Sequence, residues 1–250
     1  MNLIDRIAHG NRLAARSGVE KTVFAVGMLL LALVLPPWPG AVVVLGVMLA
    51  AALGVARVPF GSYAKLAAGP LAFLAIGVLP LLVSMEFGGS WLVSFHLAPD
   101  GPELALRVTA RSLAAVSCLL FLSLSTPVPQ ILGVLRAARV PAVVTEVALL
   151  IYRDIWVFID TVGGIRVAQA SRLGYRTLRS SYRSLAMLGA SFFGQAFQKA
   201  RAMDHGLQAR NWQGDLRVLD DGAAASLAGL AVVLAVQACT VAAVLVWAAA

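Results

Sequence analysis

Twelve of the 20 Lys and Arg residues in this 250-residue chain fall between Arg136 and Arg217. Arginine offers chemistry of a particular kind. It stays charged, and its planar fork of donors fits a carboxylate or a row of carbonyl oxygens. Two of these arginines stand out. Arg172 lies in Ala170-Ser171-Arg172-Leu173-Gly174-Tyr175, and Arg210 in Gly206-Leu207-Gln208-Ala209-Arg210-Asn211-Trp212. Each stretch places an Ala, an Arg and an aromatic at the predicted end of a helix. One reading is local: the Arg complements the negative end of the helix dipole. The other is that each Arg reaches into an acidic or carbonyl-lined groove on a partner, where a desolvated arginine can anchor an interface.

Other chemistry is sparse. His9, His96 and His205 are scattered, with no metal-ligand spacing. No G-x-x-x-x-G-K-[ST] loop occurs, so no Walker-type nucleotide site is expected in this chain. No Ser-His-Asp set or carboxylate pair stands out. Cys118 and Cys239 lie in apolar runs and read as small core residues.

The elements that must carry Arg172 and Arg210 are two amphipathic helices. In the first, Ile155, Phe158, Ile159, Val162, Ile165 and Gln169 recur at helical spacing, and the helix is expected to end near Gly174. In the second, Leu185, Leu188, Phe192, Ala196, Lys199 and Met203 do the same, ending near Gly206. Each has an apolar stripe to lay against a partner. Gly163-Gly164, Gly189 and Gly194 fit either bending or close helix crossing.

Around this segment the chain is 60% hydrophobic and only 13% charged, against about 25% charged in soluble domains. Mean hydropathy is +0.86. These values indicate a membrane protein. The net charge of +8 then follows from the positive-inside rule and does not call for nucleic acid. The polar N-terminus shows no cleavable signal peptide.

Thr22–Ala56 is uncharged for 35 residues, broken by Pro36-Pro37-Trp38-Pro39-Gly40. That predicts two short spans, 20–35 and 41–56. Further spans are expected at 66–85, 105–125 and 223–250, with an external loop at 86–103. Val140–Ile165 is apolar but carries Glu146, Arg153, Asp154 and Asp160. It reads as a partly buried helix at the membrane edge, with Arg153 paired to Asp154 and Asp160. The fold is therefore all-α and polytopic, with five transmembrane helices, or six if this segment crosses, plus two long amphipathic cytoplasmic helices. The chain divides into 1–135, 136–222 and 223–250. Eighteen of the 20 basic residues fall on one side, which puts the N-terminus and the basic segment in the cytoplasm and the C-terminus outside.

The sequence resembles the transmembrane T component of energy-coupling factor transporters, specifically the cobalt type, the CbiQ family. The resemblance covers nearly the whole chain. It runs from Ile4-Asp5-Arg6-Ile7-Ala8 and Lys21 through Ser125-Thr126-Pro127, Val140-Pro141 and Tyr152-Arg153. It is strongest in Ala168–Tyr175 and in Gln208-Ala209-Arg210-Asn211-Trp212-Gln213-Gly214.

The resemblance implies a non-catalytic coupling subunit of an ABC importer for cobalt in the cell inner membrane. Arg172, Arg210, Ala170, Ala209 and Gly174 would meet two copies of a CbiO-like ATPase, which would bind ATP and Mg. Ile155, Phe158, Val162, Leu188 and Phe192 would hold a CbiM-like substrate-binding membrane subunit, with a small CbiN-like accessory subunit as a further partner. No cofactor or metal is expected in this chain itself. Two departures from the family motif are visible: Ser171 and Leu173 flank Arg172, and Asn211 replaces a glycine after Arg210. Rival readings are a T component for nickel, biotin or several vitamins, or an unrelated membrane enzyme or channel.

Overall fold

Proline placement sets the first membrane hairpin. Helix α2 (Gly18–Val34) stops before Pro36, and Pro37 takes the first position of α3 (Pro37–Leu49). The missing proline N–H has no helical partner there, so its loss is free. Gly40 is required by close approach, because a Cβ would stand 2.7 Å from Leu35 Cβ. Helix α3 runs on as a π-helical segment, Ala50–Val55, closed by Arg57 in the left-handed region at φ 53°.

The computed structural model describes residues 3–87, 93–97, 101–211 and 226–249. A short α1 (Leu3–Gly10) precedes α2. Helix α4 (Phe60–Leu82) starts six residues before the expected 66, carries Lys65 on its second turn and continues through Pro70 and Pro80. Strands β1 (Val83–Phe87) and β2 (Val93–Leu97) pair antiparallel, with Met85 opposite Phe95. The strands fall on 86–87 and 93–97 of the expected 86–103 loop, and β1 also takes 83–85 from the end of the expected 66–85 span; residues 88–92 and 98–100 lie outside the described residues. Then follow α5 (Gly101–Ser125), α6 (Val128–Ala137), α7 (Ala142–Ser171), α8 (Leu178–Ala209) and α9 (Leu227–Ala249).

Among the described residues, four helical stretches are long and apolar enough to cross a bilayer: Pro37–Val55, Phe60–Leu81, Gly101–Ser125 and Leu227–Trp247. Helix α2 has 17 residues, about 26 Å at 1.5 Å each, near the lower limit for a span. The segment 140–165 forms most of α7 and is not among the four. Its four charges account for that. Among the described residues the chain is helical apart from this hairpin and short turns, and it is a multi-pass membrane protein.

The chain forms two compact units, Met1–Val134 with Asp220–Ala250, and Leu135–Leu219. In the first, α2, α3 and α5 close over Met28, Val44, Met48, Ala114, Cys118 and Leu124, all at most 1% exposed. Small residues such as Ala114 let helix backbones approach, which is how membrane helices gain packing energy. Cys118 is in this core, but Cys239 is exposed. Helix α9 buries Thr240 and Val244, and residue 239 is turned about 100° from Thr240.

Buried polar groups fasten one end of this unit. Lys21 Nζ donates to Leu13 O (3.0 Å), Ser125 O (3.0 Å) and Gln130 Oε1 (2.7 Å). Gln130 Nε2 donates to Ala14 O at 2.9 Å, and Asn11 Nδ2 to Leu124 O at 2.8 Å. Buried Glu20 accepts from the Ser226 N–H at 2.9 Å, while Ser226 Oγ caps α9 by accepting from Gly229 N–H at 2.8 Å. A side chain at Gly229 would collide with the Glu20 carboxylate. The starts of α2 and α9 and the end of α5 therefore share one end, where Arg12 and Arg16 also lie. At the far end of α2, Arg111 Nη2 donates to Leu35 O at 3.2 Å.

Candidate functional site

The second unit is built on α7 and α8. Helix α7 spans 30 residues from its N-cap, Pro141, and α8 spans 32 from its N-cap, Thr177. The start of α8 is a capping box: the Thr177 hydroxyl accepts from Ser180 N–H at 3.2 Å, and Ser180 Oγ accepts from Thr177 N–H at 3.0 Å. Two orphan donors of the first turn are satisfied by this exchange.

The helices run antiparallel. Phe158 of α7 meets Phe192 of α8 edge-to-face, with centroids 5.1 Å apart, a geometry that contributes about 0.5–1.5 kcal/mol. Lys199 Nζ stands 3.8 Å from Asp154 Oδ1 and 5.9 Å from the Phe158 ring centre. Both partners of this ion pair are partly exposed, so it adds little. Toward the other end, Gln169 Nε2 donates to Ser184 O at 3.0 Å. On α8 the half-buried or buried positions Ser184, Leu188, Phe192, Lys199 and Met203 keep the 3.6-residue period.

The sequence expected Arg153 to pair with Asp154 and Asp160. Asp154 pairs instead with Lys199 of α8. The reason is geometric: successive residues on a helix point about 100° apart, so Arg153 and Asp154 do not face each other.

Both candidate arginines are C-caps. Arg172 closes α7 at φ −94°, ψ 18°, and Arg210 closes α8 at φ −96°, ψ 12°. The next residue is left-handed in both cases: Leu173 at φ 58° and Asn211 at φ 54°. After α7, Leu173 N–H donates to Ala170 O (3.0 Å) and Gly174 N–H to Gln169 O (2.9 Å), the full Schellman pattern. After α8, Asn211 N–H donates to Gln208 O at 3.0 Å. The two departures from the family motif, Leu173 and Asn211, thus occupy equivalent positions. Helix α8 continues past the expected stop at Gly206 to Ala209, because the left-handed turn falls at Asn211.

A hydrogen-bonded elbow holds the Arg172 tip. Tyr175 OH donates to Gln169 Oε1 at 2.6 Å, and Ser184 Oγ to Gly174 O at 2.8 Å. A Cβ on Gly174 would lie 2.6 Å from Ser184 Oγ and 2.9 Å from Gln169 O, so only glycine fits. Gln169 was visible in the sequence as the last member of a stripe, but its role as a bridge was not. Arg172 and Arg210 are exposed, with Ala170 and Ala209 beside them.

The residues expected to hold a membrane partner are arranged unevenly. Phe158, Val162, Leu188 and Phe192 are half-buried, whereas Ile155 is exposed. An outward face of α8 carries Phe193 and Phe197, stacked at 6.4 Å and both exposed, with the Arg201 guanidinium 4.7 Å over Phe197. Gly163, Gly164, Gly189 and Gly194 stand in open space, where a Cβ would meet nothing within 4 Å. Close helix crossing therefore does not require them. Among the described residues, no three of His, Cys, Asp and Glu converge as a metal site would need. Trp212, Gln213, Gly214 and Arg217 lie outside the described residues.

A family model described as cobalt transport protein, CbiQ, matches residues 10–219. The chain is 41% identical to the cobalt transport protein CbiQ of Rhodobacter capsulatus, over 96% of each chain. It is 30% identical to the cobalt transport protein CbiQ of Salmonella typhimurium, over 87% of this chain and all of that one. A putative fused cobalt transport protein, CbiMQ, of Methanocorpusculum labreanum is 29% identical over 93% of this chain and 40% of its own length. With a family match over most of its length and relatives aligned nearly end to end, the chain belongs to the CbiQ family of cobalt transport proteins.

Proposed function

We propose that this chain is the coupling subunit of an energy-coupling factor importer for cobalt, embedded in the cell inner membrane with its second unit in the cytoplasm. It has no catalytic step of its own. Two CbiO-like ATPase subunits, which hold ATP and Mg, dock on Arg172 and Arg210, with Ala170, Ala209 and Gly174 shaping the two turns. A CbiM-like substrate-binding subunit packs on the apolar faces of α7 and α8; the name of the fused relative, CbiMQ, favours that partner. A CbiN-like accessory subunit completes the complex.

The observation that carries this reading is the matched geometry of Arg172 and Arg210. Two arginines in one backbone conformation, at the ends of antiparallel helices, suit two copies of one ATPase. The 32 residues of α8 separate the tips by roughly 45 Å at about 1.5 Å per residue. When the ATPases approach or part, they act on opposite ends of one helix pair, with the Phe158–Phe192 contact between them. Ile155, Phe193 and Phe197 on the outward faces, with Phe158, Val162, Leu188 and Phe192 at the seam, pass that motion to the membrane partner.

The test is co-expression with the ATPase and membrane partners. Arg172→Ala and Arg210→Ala each reduce ATPase co-purification and cobalt uptake, and the double variant abolishes uptake. A double variant that retained both would overturn the reading.

A further inference from the structure

At the Arg210 end, side chains of α7 and α8 line a cleft of about 430 Å³. Its charged side chains are Arg153, Asp154, Lys199 and Arg210, three cations against one carboxylate. That carboxylate is already engaged by Lys199 at 3.8 Å. Arg153 and Arg210 line the same cleft without an ion pair or side-chain hydrogen bond to any described residue. Two unpaired guanidinium groups in one recess repel each other, and an anion between them removes that cost. The remaining walls include Val157, Met203 and Leu207, which suit the methylene stem of an acidic side chain better than a bare ion. Room exists at Gly206, where even a Cβ would touch nothing within 4 Å. At the Arg172 end the elbow fills the corresponding space, since Gly174 abuts Ser184.

We infer that Arg153 is a second docking arginine: an acidic side chain of one ATPase subunit enters this cleft and is held between Arg153 and Arg210. The inference rests on the coupling role proposed above and deepens it. The two tips are then unequal, one with its turn packed into a closed elbow and the other with an arginine pair around an open cleft. Identical ATPase subunits would dock with different strengths.

The experiment uses the full-length chain with its membrane partner in nanodiscs and measures the Kd of the purified ATPase. Arg153→Ala weakens binding about tenfold, which corresponds to about 1.4 kcal/mol, while Arg153→Lys recovers part of the loss. Thermal stability is unchanged by Arg153→Ala, because the exposed side chain has no ion pair or side-chain hydrogen bond among the described residues. Arg153→Ala combined with Arg210→Ala loses less than the product of the two single effects, since both hold one carboxylate. Combined with Arg172→Ala, its effects multiply. An unchanged Kd for Arg153→Ala alongside a weakened Arg210→Ala would overturn the inference and leave the coupling role standing. So would strict independence of Arg153 and Arg210. If Arg172→Ala and Arg210→Ala were both silent, the coupling role would fall and this inference with it.

Discussion

Arg172 and Arg210 end different helices in the same backbone conformation, each followed by a left-handed residue that is not glycine. The equivalence is hidden in the sequence, because Leu173 and Asn211 differ in chemistry and only one tolerates this conformation well. Asn reaches the left-handed region at low cost, whereas Leu pays about 1–2 kcal/mol there. The Schellman hydrogen bonds after α7 hold Leu173 in place against that cost.

Leu173→Gly should therefore stabilise the protein by about 0.5–1 kcal/mol, once the greater freedom of glycine in the unfolded chain is subtracted. Asn211→Gly should change stability by only a few tenths of a kcal/mol. Thermal unfolding of the two variants in detergent checks the contrast. Equal effects at both sites would mean that Leu173 carries no strain.

Gly174→Ala should act in the opposite direction. The added methyl meets Ser184 Oγ at 2.6 Å and Gln169 O at 2.9 Å, and overpacking of this kind costs about 1–3 kcal/mol. Ser184→Ala should not rescue it, because the clash with the Gln169 carbonyl remains. The Arg172 tip should lose its fixed position, so ATPase co-purification should fall with Gly174→Ala while Arg172 is intact. Full docking by a destabilised Gly174→Ala protein would show that the elbow does not serve the tip.

What the sequence made legible follows from what each signal encodes. Uncharged runs and the Pro36–Gly40 break located the membrane helices, because hydrocarbon excludes charge and the proline cluster ends α2 before Pro36, whereas the single prolines Pro70 and Pro80 are carried inside α4. The stripe through Leu188, Phe192 and Met203 was legible as a helix face. Its neighbour was not, because periodicity fixes which residues share a face but not what covers it; much of that face meets α7. Glu20 and Ser226 are 206 positions apart, and no local pattern announces such a contact. Arg153 was misassigned to Asp154 because adjacency in sequence suggested a pair that helix geometry forbids. The position of Arg153 in the cleft with Arg210 depends on the antiparallel register of α7 and α8, which is a tertiary fact.

Helix α9 is tied to α2 through Glu20, so that contact should be measurable by substitution. Gly229→Val places a side chain where the Glu20 carboxylate sits and should destabilise the first unit by about 1–3 kcal/mol. Glu20→Ala should leave the Ser226 N–H without its acceptor, costing about 1–3 kcal/mol. The double variant Glu20→Ala, Gly229→Val should be less damaged than the two costs combined, because removing the carboxylate makes room for the valine. Chemical unfolding in detergent would read this coupling, and simple additivity would count against the contact.

The glycines in open space give a test of lever stiffness. Gly163 and Gly164 lie inside α7 with nothing within 4 Å of an added Cβ, so alanine fits without strain. Each Gly→Ala change should stabilise the helix by about 0.5–1 kcal/mol. If α7 works as a stiff rod between the ATPase and the membrane partner, Gly163→Ala with Gly164→Ala should raise stability and leave cobalt uptake intact. If α7 must bend at this point, the same double variant should be more stable yet slower in uptake, with ATPase co-purification unchanged. The first outcome is the expected one, because α7 passes through both glycines as one unbroken helix from Ala142 to Ser171. Uptake into whole cells and thermal unfolding of the same double variant separate the two outcomes, since only a bending requirement makes stability and transport move in opposite directions.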